Sequence, residues 1–316
     1  MKLSIITINR NNAEGLKRTL DSVKGQTYKG IEHIIVDGAS TDDSVQIIES
    51  YVRDVSCMMY DVLWISEPDK GIYNAMNKGI EIALGKRGVN ALNRSERRED
   101  KNKVLPDYIQ ILNSGDTLAA PDVTERMMAE LQRAYSQPLP KRNGVSKGVA
   151  ILYGNMLKDY GNGRVRRDTC GGEMYTPESF LYFYNGTLNH DCAYIRRDLF
   201  EKYGLYNEQM KICSDWEWYV RAIVLGGEKP VYTNIDVTVF DMNGVSESNG
   251  KNREHIQRER REYLEKILPA SVLRDYDQFA FPMLQYQRLK KYHLWGVVYF
   301  IERILFKMEK WHILRG

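Results

Sequence analysis

A short polar turn, Ser114-Gly115-Asp116, follows an apolar segment at 108–112 that has the composition of a buried strand. Asn113 lies between the two, so Asp116 places a carboxylate beyond the strand's carboxyl end. That end is where α/β sheets bind their ligands. A carboxylate there suits a hard cation such as Mg²⁺ or Mn²⁺, which prefers oxygen ligands and keeps positions open for phosphate. Taken alone, the turn also fits an ordinary solvated loop.

Three other polar segments follow apolar, strand-like stretches earlier in the chain, at 7–11, 37–44 and 66–79. Four polar strand ends in one domain predict a single binding site. For a nucleoside diphosphate that carries a transferable group, Asp37 and Asp69 are placed to accept hydrogen bonds from ribose hydroxyls and a base N–H. A metal ion at Asp116 would neutralise the leaving diphosphate.

Two common nucleotide-binding motifs are absent from the sequence. No GxxxxGK[ST] loop is present, which argues against a P-loop hydrolase, and no GxGxxG follows the first predicted strand, which argues against a dinucleotide oxidoreductase. Three alternatives to an enzyme that transfers a group from a nucleoside diphosphate stay open: a nucleotidyltransferase, a non-catalytic sugar-nucleotide or glycan binding module, and a membrane scaffold. A nucleotidyltransferase should carry a glycine-rich triphosphate loop near the first strand, and residues 5–12 contain no glycine.

Strand-like and helix-like patterns alternate through the first part of the chain. The apolar runs predict strands at 3–8, 31–36, 59–66 and 108–112, and apolar residues at helical spacing predict helices at 14–24 and 72–84. This alternation predicts an α/β fold with a mostly parallel central sheet flanked by helices. Further strands are predicted near 150–155, 164–167, 193–195 and 230–232. Two polar stretches, a charged one at about 86–106 and another at 136–147, are predicted to be surface insertions.

The composition limits the class of protein. The 316 residues suffice for one large domain with an appendage, and 43% hydrophobic and 28% charged residues are ordinary for a globular protein. The net charge of +3 is too small to favour a nucleic-acid partner. The four cysteines lack CxxC spacing, so we expect reduced thiols. The N-terminus has only a very short apolar run, so we expect no signal peptide and a cytoplasmic location.

The four polar strand ends, in this order, resemble those of family 2 glycosyltransferases with the GT-A fold, over roughly residues 1–245. The likeness is especially close to bacterial enzymes of exopolysaccharide and surface-glycan assembly, which implies polysaccharide biosynthesis. By this resemblance the first strand end and the Asp37 turn hold the nucleoside, and Asp69 reads the base. The implied nucleotide-binding residues are Thr7, Asn9, Asn11, Asp37, Gly38, Ser40, Asp69 and Asn77.

The family has a metal-binding DxD motif, and Ser114-Gly115-Asp116 stands in its place. Ser114 replaces the first Asp, whereas Asp116 matches the second, which the resemblance implies binds Mn²⁺ or Mg²⁺. Asn113 and Ser114 are expected near the donor diphosphate.

The family also needs a general base, and residues 211–219 resemble its acidic motif at the start of a helix. Asp215 matches the base, which takes the proton from an acceptor hydroxyl as that oxygen attacks the anomeric carbon and inverts it. The helix start supplies positive potential that keeps Asp215 ionised. Glu217 is the rival base, and His190 and Glu217 are the expected acceptor contacts. His255, beyond a Gly-Val-Ser loop at 243–246, is a further candidate contact to metal or diphosphate.

Residues 246–316 are helical in composition and are predicted to form an extension to a catalytic domain at 1–245. The mostly apolar run at 293–301 is far shorter than the ~20 residues that span a bilayer. Aromatic residues beside Lys and Arg suit a helix that lies in the membrane interface. The alternative is an amphipathic helix packed on the domain or on a partner subunit.

We therefore predict an inverting, metal-dependent glycosyltransferase. It moves a sugar from a UDP- or GDP-linked donor to a glycan or lipid-linked glycan acceptor. We expect it to lie in the cytoplasm, peripheral at the inner face of the cell membrane through its C-terminal helices.

Overall fold

A computed structural model of the chain describes residues 1–55, 61–89, 105–136, 148–161, 163–170, 177–242 and 250–313. Most of the charged insertion predicted at 86–106 lies outside the described residues. So do residues 137–147 of the second polar stretch and the whole of the 243–246 loop.

Four parallel strands form the N-terminal half of the sheet. They are β1 (Leu3–Asn9), β2 (Ile31–Asp37), β3 (Asp61–Ser66) and β4 (Tyr108–Ile111), in the spatial order β3-β2-β1-β4. Every residue of β1, β2 and β4 is buried, as expected for parallel strands covered on both faces. Because these strands run in one direction, their polar ends meet at one edge of the sheet, and the predicted α/β architecture is confirmed.

Helices cover both faces of this sheet. They are α1 (Ala13–Lys24), α2 (Ser44–Val55), α3 (Ile72–Ala83) and α4 (Val123–Ser136). In α1 the buried residues Leu16, Leu20 and Val23 recur at helical spacing, and Asn12 caps its first turn by accepting a hydrogen bond from Gly15 N at 3.2 Å. The core accordingly divides into two clusters, one around α1, α2 and α4 and the other around α3.

The C-terminal half of the sheet is mixed. Its strands are β5 (Thr117–Leu118), β6 (Ile151–Asp159), β7 (Val165–Asp168), β8 (Ala193–Arg196) and β9 (Pro230–Asp241). The full order is β3-β2-β1-β4-β8-β6-β9-β5, with β7 paired to β6. β8 runs antiparallel to both β4 and β6, whereas β9 runs parallel to β6. All four later strands that the sequence predicts are present, but β9 continues nine residues past the predicted 230–232.

Short helical segments connect these strands. They are α5 (Phe180–Asn185), a 3₁₀ turn (His190–Cys192), α6 (Asp198–Tyr203) and α7 (Ser214–Tyr219), which continues as a π-helical segment (Val220–Leu225). Trp216 and Trp218 of α7 are fully buried, and each indole N–H donates to a backbone carbonyl, at 2.7 Å and 2.8 Å respectively. The start of α7 is therefore fixed to the core by two large side chains.

The C-terminal region is helical, as predicted, with α8 (Gly250–Ile267), α9 (Ala270–Lys291) and α10 (Trp295–Ile313). Leu264 of α8 and Leu273 of α9 are buried in the core cluster around α3 and α7. Packing against the α/β core thus extends well beyond residue 245. In α10, by contrast, most of the large apolar side chains that the structure describes are exposed, and Val298 is partly buried. Within the described residues, no helix combines the length and the apolarity needed to cross a membrane.

Candidate active site

Helix α1 and its N-cap residue Asn12 hold the Ser114-Gly115-Asp116 turn in place. Thr19 Oγ1 donates to the Asp116 carbonyl at 2.7 Å and accepts from Gly115 N at 2.9 Å. Asn12 Nδ2 donates to the Ser114 carbonyl at 3.1 Å. Gly115 has φ +108°, a conformation that favours glycine, so the turn requires glycine at its centre.

An open cleft of about 810 Å³ lies beside this turn at the carboxyl ends of β1 and β4. Its walls come from the segments after those strands, from the start of α3 and from the end of β9. Of the predicted site residues, the cleft brings together Asn9, Asn11, Asp69, Asn113, Ser114 and Asp116. Arg10, Arg18 and Asp241 also line it and are residues that the sequence prediction missed.

Asp37 is fully buried and lies behind the cleft rather than on its wall. Its carboxylate accepts hydrogen bonds from Asn9 Nδ2 at 2.9 Å, Ser66 Oγ at 2.7 Å, and both the backbone N–H and Oγ of Ser40, at 2.9 Å and 2.5 Å. Ser40 Oγ in turn accepts from Asn11 N at 2.8 Å. In this structure Asp37 and Ser40 hold the ends of β1 and β2 together.

Asp69 also lines the cleft and touches Gly38. Its side chain is 6% exposed, its Oδ1 accepts from Gly71 N at 3.0 Å, and Arg10 Nη1 lies 3.7 Å away. A Cβ atom on residue 38 would stand 2.2 Å from Asp69 Oδ2. Glycine at 38 therefore leaves the room that the Asp69 carboxylate occupies.

Two predicted nucleotide-binding residues lie in the interior, away from the cleft. Thr7 is fully buried, and its Oγ1 is 3.0 Å from His33 Nε2. Asn77 is also buried; its Nδ2 donates to the Tyr206 carbonyl and to Glu208, both at 2.9 Å, and its Oδ1 accepts from Tyr206 N at 3.0 Å. These hydrogen bonds leave both side chains engaged with the protein itself.

The part of the cleft around Asp116 collects negative charge. Asp116 is 6% exposed, and burial together with the nearby Asp191 carboxylate raises its pKa well above the ordinary value. Burial also raises the pKa of Asp191, which accepts a hydrogen bond from Thr238 Oγ1 at 2.9 Å. Within the ranges that the structure describes, no group of three His, Cys, Asp or Glu side chains forms a complete metal site. The chemistry of these oxygen donors nevertheless fits a hard cation, since a positive charge would favour both carboxylates in their ionised form.

His190 connects this part of the cleft to Asp215. Its Nε2 is 3.1 Å from Asn113 Nδ2, and its Nδ1 is 3.4 Å from Asp215 Oδ2. Burial alone would lower the pKa of His190, but Asp215, Asp191 and Asp116 outweigh burial and raise it to about 9. A protonated His190 donates from both nitrogens, so exchanging the amide O and N of Asn113 lets its otherwise unpartnered Oδ1 accept from Nε2.

Asp215 stands at the start of α7 with two partners. The Tyr73 hydroxyl lies 3.0 Å from Asp215 Oδ1 and 2.5 Å from the Ile212 carbonyl. Burial disfavours a charged Asp215, but the hydrogen bond and positive charge of His190 outweigh it and lower the pKa of Asp215. The carboxylate is thus ionised at neutral pH, as a general base must be. Tyr73 is a site residue that the sequence prediction did not single out.

Glu217 and His255 face other partners. Glu217 is 5% exposed and forms a two-pronged ion pair with Arg221, at 3.0 Å and 2.8 Å. His255 Nε2 lies 3.0 Å from Glu259 Oε1 within α8. The structure does not bring either residue to the wall of the cleft.

The family of the chain is settled by comparison with known proteins. Residues 4–204 match the model of glycosyl transferase family 2. The chain belongs to this family. An uncharacterized glycosyltransferase of Mycobacterium tuberculosis is 32% identical over 247 residues, which are 77% of this chain and 76% of the relative. The resemblance in the strand-end motifs is confirmed.

Solved structures share the fold of this glycosyltransferase. TarS 1–349 of S. aureus, solved in complex with UDP-GlcNAc, superposes with a TM-score of 0.60 at 15% identity, over 92% of this chain and 73% of TarS 1–349. The mannosyltransferase PcManGT of Pyrobaculum calidifontis, solved with GDP-Man and Mn²⁺, gives a TM-score of 0.52 at 14% identity, over 90% and 73% of the two chains. At these identities the likeness concerns the fold, and it confirms the GT-A architecture.

Proposed function

We propose that this glycosyltransferase is inverting and metal-dependent, and that it moves a sugar from a UDP- or GDP-linked donor to a glycan or lipid-linked glycan. The observation that carries the proposal is the path from the cleft to Asp215. Asn113 lines the cleft and contacts His190, and His190 pairs with Asp215. A nucleotide-sized cleft and an ionised base are therefore adjacent. The solved relatives named above hold UDP-GlcNAc or GDP-Man, which supports this donor class.

The donor is proposed to lie along the cleft, with its base toward Asp69 and its diphosphate toward Asp116. Asp69 has one carboxylate oxygen beside Gly38 and lines the cleft, so it can accept from a base N–H. Asp116, with Asp191 close by, is proposed to hold Mn²⁺ or Mg²⁺. When bound, the ion supplies positive charge for the leaving diphosphate. Arg18 also lines the cleft, where it pairs with Asp241 at 3.0 Å.

Asp215 is proposed to act as the general base. Its carboxylate takes the proton of an acceptor hydroxyl while that oxygen forms a bond to the anomeric carbon. The bond from that carbon to the diphosphate oxygen breaks on the opposite side, so the configuration inverts. His190 keeps Asp215 ionised, and the Tyr73 hydroxyl fixes the orientation of the carboxylate.

The C-terminal helix α10 is proposed to contact an anionic membrane surface. Residues 285–316 contain seven Lys and Arg against two Glu, a net charge of +5 in a chain whose total is +3. Exposed apolar residues recur along α10 at helical spacing, at Val297, Ile301, Ile304, Leu305 and Met308. A helix with an apolar face and basic residues lies flat in a membrane interface. Such contact places the active site beside a lipid-linked acceptor.

Calorimetry tests the donor proposal. UDP, UDP-glucose, UDP-GlcNAc, GDP and GDP-mannose are titrated into the full chain with Mn²⁺, with Mg²⁺ and with EDTA. We expect one nucleotide class to bind only with metal, and Asp116→Ala to lose that binding while keeping its melting temperature. Binding that is indifferent to EDTA contradicts metal dependence. A folded protein that binds no nucleotide in the panel contradicts the transferase proposal.

A further inference from the structure

The carboxylate of Glu259, in α8, accepts hydrogen bonds from three consecutive backbone N–H groups. Oε1 lies 2.6 Å from Lys211 N, and Oε2 lies 3.1 Å from both Ile212 N and Cys213 N. The side chain is 10% exposed. Burial disfavours its charged form, but the backbone N–H groups outweigh burial and lower the pKa of Glu259. An ionised, buried carboxylate therefore holds the segment 211–213.

This segment leads directly into the helix that carries Asp215. α7 begins after Cys213, whose side chain makes no capping hydrogen bond. The first N–H groups of a helix lack partners inside the helix, and a side-chain oxygen usually supplies one. Here Glu259 supplies an acceptor just before the helix, from a distant part of the chain. Ile212 takes part twice, because its carbonyl accepts from the same Tyr73 hydroxyl that contacts Asp215.

The helix α8 is seated on α7 at several points. The ring of Tyr263 meets that of Trp216 edge-on, at a centroid distance of 5.8 Å. The Arg260 guanidinium stands 4.9 Å above the Trp216 ring. Leu264 is buried in the core. Glu259 is thus fixed by the packing of α8, and a carboxylate on a packed helix can hold the segment 211–213 in one place.

We propose that Glu259 is a positioning residue for Asp215: it holds residues 211–213 so that the carboxylate of Asp215 faces the acceptor hydroxyl. This inference rests on the proposed function, since it assigns Glu259 a role in the same reaction. If Glu259 has this role, catalysis requires α8 as well as the α/β core. A misplacement of about 1 Å in a reacting group costs roughly a hundredfold in rate. The nucleotide cleft is built from other segments, so donor binding does not depend on this contact.

The test compares Glu259→Ala and Glu259→Gln with Glu262→Ala. Glu262 lies on the same helix, is 61% exposed and lies 4.0 Å from Arg258 in a long ion pair, so it is a matched control. We expect Glu259→Ala to lower kcat roughly 10- to 100-fold, with donor KM and calorimetric Kd within about twofold of wild type. Glu259→Gln keeps one acceptor oxygen, so it should fall between Glu259→Ala and wild type.

Hydrogen exchange supplies a readout that needs no turnover. We expect the amides of residues 211–213 to exchange faster in Glu259→Ala than in wild type, and at the wild-type rate in Glu262→Ala. If the amides of residues 211–213 exchange at the wild-type rate in Glu259→Ala, Glu259 does not hold this segment and the inference is wrong. Faster exchange with an unchanged kcat would show that Glu259 has only a structural role. That result overturns this inference but leaves the proposed function standing. A wild type that transfers no sugar overturns the proposed function and, with it, this inference.

Discussion

Replacing Gly38 by Ala tests whether Asp69 reads the donor base. The backbone of Gly38 is not in the left-handed region, so alanine causes no conformational strain, and the effect is steric. The new Cβ would lie 2.2 Å from Asp69 Oδ2, whereas ordinary contact begins at 3.4 Å. The carboxylate must therefore move by about 1 Å, which is enough to lose a hydrogen bond of normal length.

The size of the effect follows from the bond that is lost. A hydrogen bond to a charged group contributes about 1.5–3 kcal/mol, which corresponds to a roughly 10- to 150-fold weaker Kd. We expect calorimetry to show this loss for the nucleoside diphosphate that binds wild type. Binding of Mn²⁺ at Asp116 should persist, because the atoms nearest a Cβ at Gly38 belong to Asp69 and Arg10 rather than to the Ser114-Gly115-Asp116 turn.

Gly88→Ala is the matched control. Nothing lies within 4 Å of a Cβ built at Gly88, and its φ is also outside the left-handed region. It should bind nucleotide as wild type does. If Gly38→Ala also binds with wild-type affinity and retains its melting temperature, Asp69 does not contact the base.

Three further predictions concern the proposed base Asp215, the buried His33 and the C-terminal helix α10. Asp215→Asn should lower kcat roughly 10²- to 10⁴-fold with unchanged donor Kd, because only the proton acceptor is lost. Burial lowers the pKa of His33 from 6.5 to about 3. Between these two values His33 binds a proton in the unfolded chain but stays neutral in the folded chain. The contribution of His33 to stability should therefore fall by about 2 kcal/mol from pH 7 to pH 5, measured in urea titrations as the difference between wild type and His33→Gln. Reversing both Arg303 and Lys307 to Glu should weaken binding to phosphatidylglycerol vesicles at least about tenfold in a flotation assay.

Each of these predictions has a contradicting result. An Asp215→Asn variant with wild-type kcat removes Asp215 as the base. An identical pH dependence in wild type and His33→Gln shows that His33 does not govern acid stability. Lys229→Glu is the control for the charge reversals in α10, since Lys229 is 73% exposed and lies outside that helix. Equal binding to neutral and anionic vesicles contradicts the electrostatic contact. A concentration-dependent dimer formed through α10 would show that this helix binds a second copy of the chain instead of a membrane.

The sequence predicted the parallel half of the sheet well because its strands are buried on both faces. β1, β2 and β4 therefore read as unbroken apolar runs with polar ends. β9 was predicted too short because polar residues interrupt its apolar pattern after Tyr232, and most of its positions are only partly buried. Its end carries Asp241, which lines the cleft. A weak apolar pattern thus hid both the strand and a site residue.

The candidate site was predictable in position but not in detail. A strand-end Asp has the same sequence pattern whether it faces a ligand or its own loop, so the burial of Asp37 beneath Ser40 and Ser66 could not be foreseen. The contact of Glu259 with residues 211–213 joins segments more than 40 residues apart. This contact depends on how α8 packs on α7, and no local sequence motif predicts it.

The stereochemistry of the first product tests the proposed mechanism most directly. The donor that the calorimetric panel identifies is incubated with the full chain and Mn²⁺, with water as acceptor, and ¹H NMR records the anomeric proton of the released sugar before mutarotation. From an α-linked donor such as UDP-glucose or GDP-mannose, single displacement with Asp215 as base predicts the β-anomer first. It also predicts that release falls steeply in Asp215→Asn. Initial release of the α-anomer would contradict single displacement and the role assigned to Asp215.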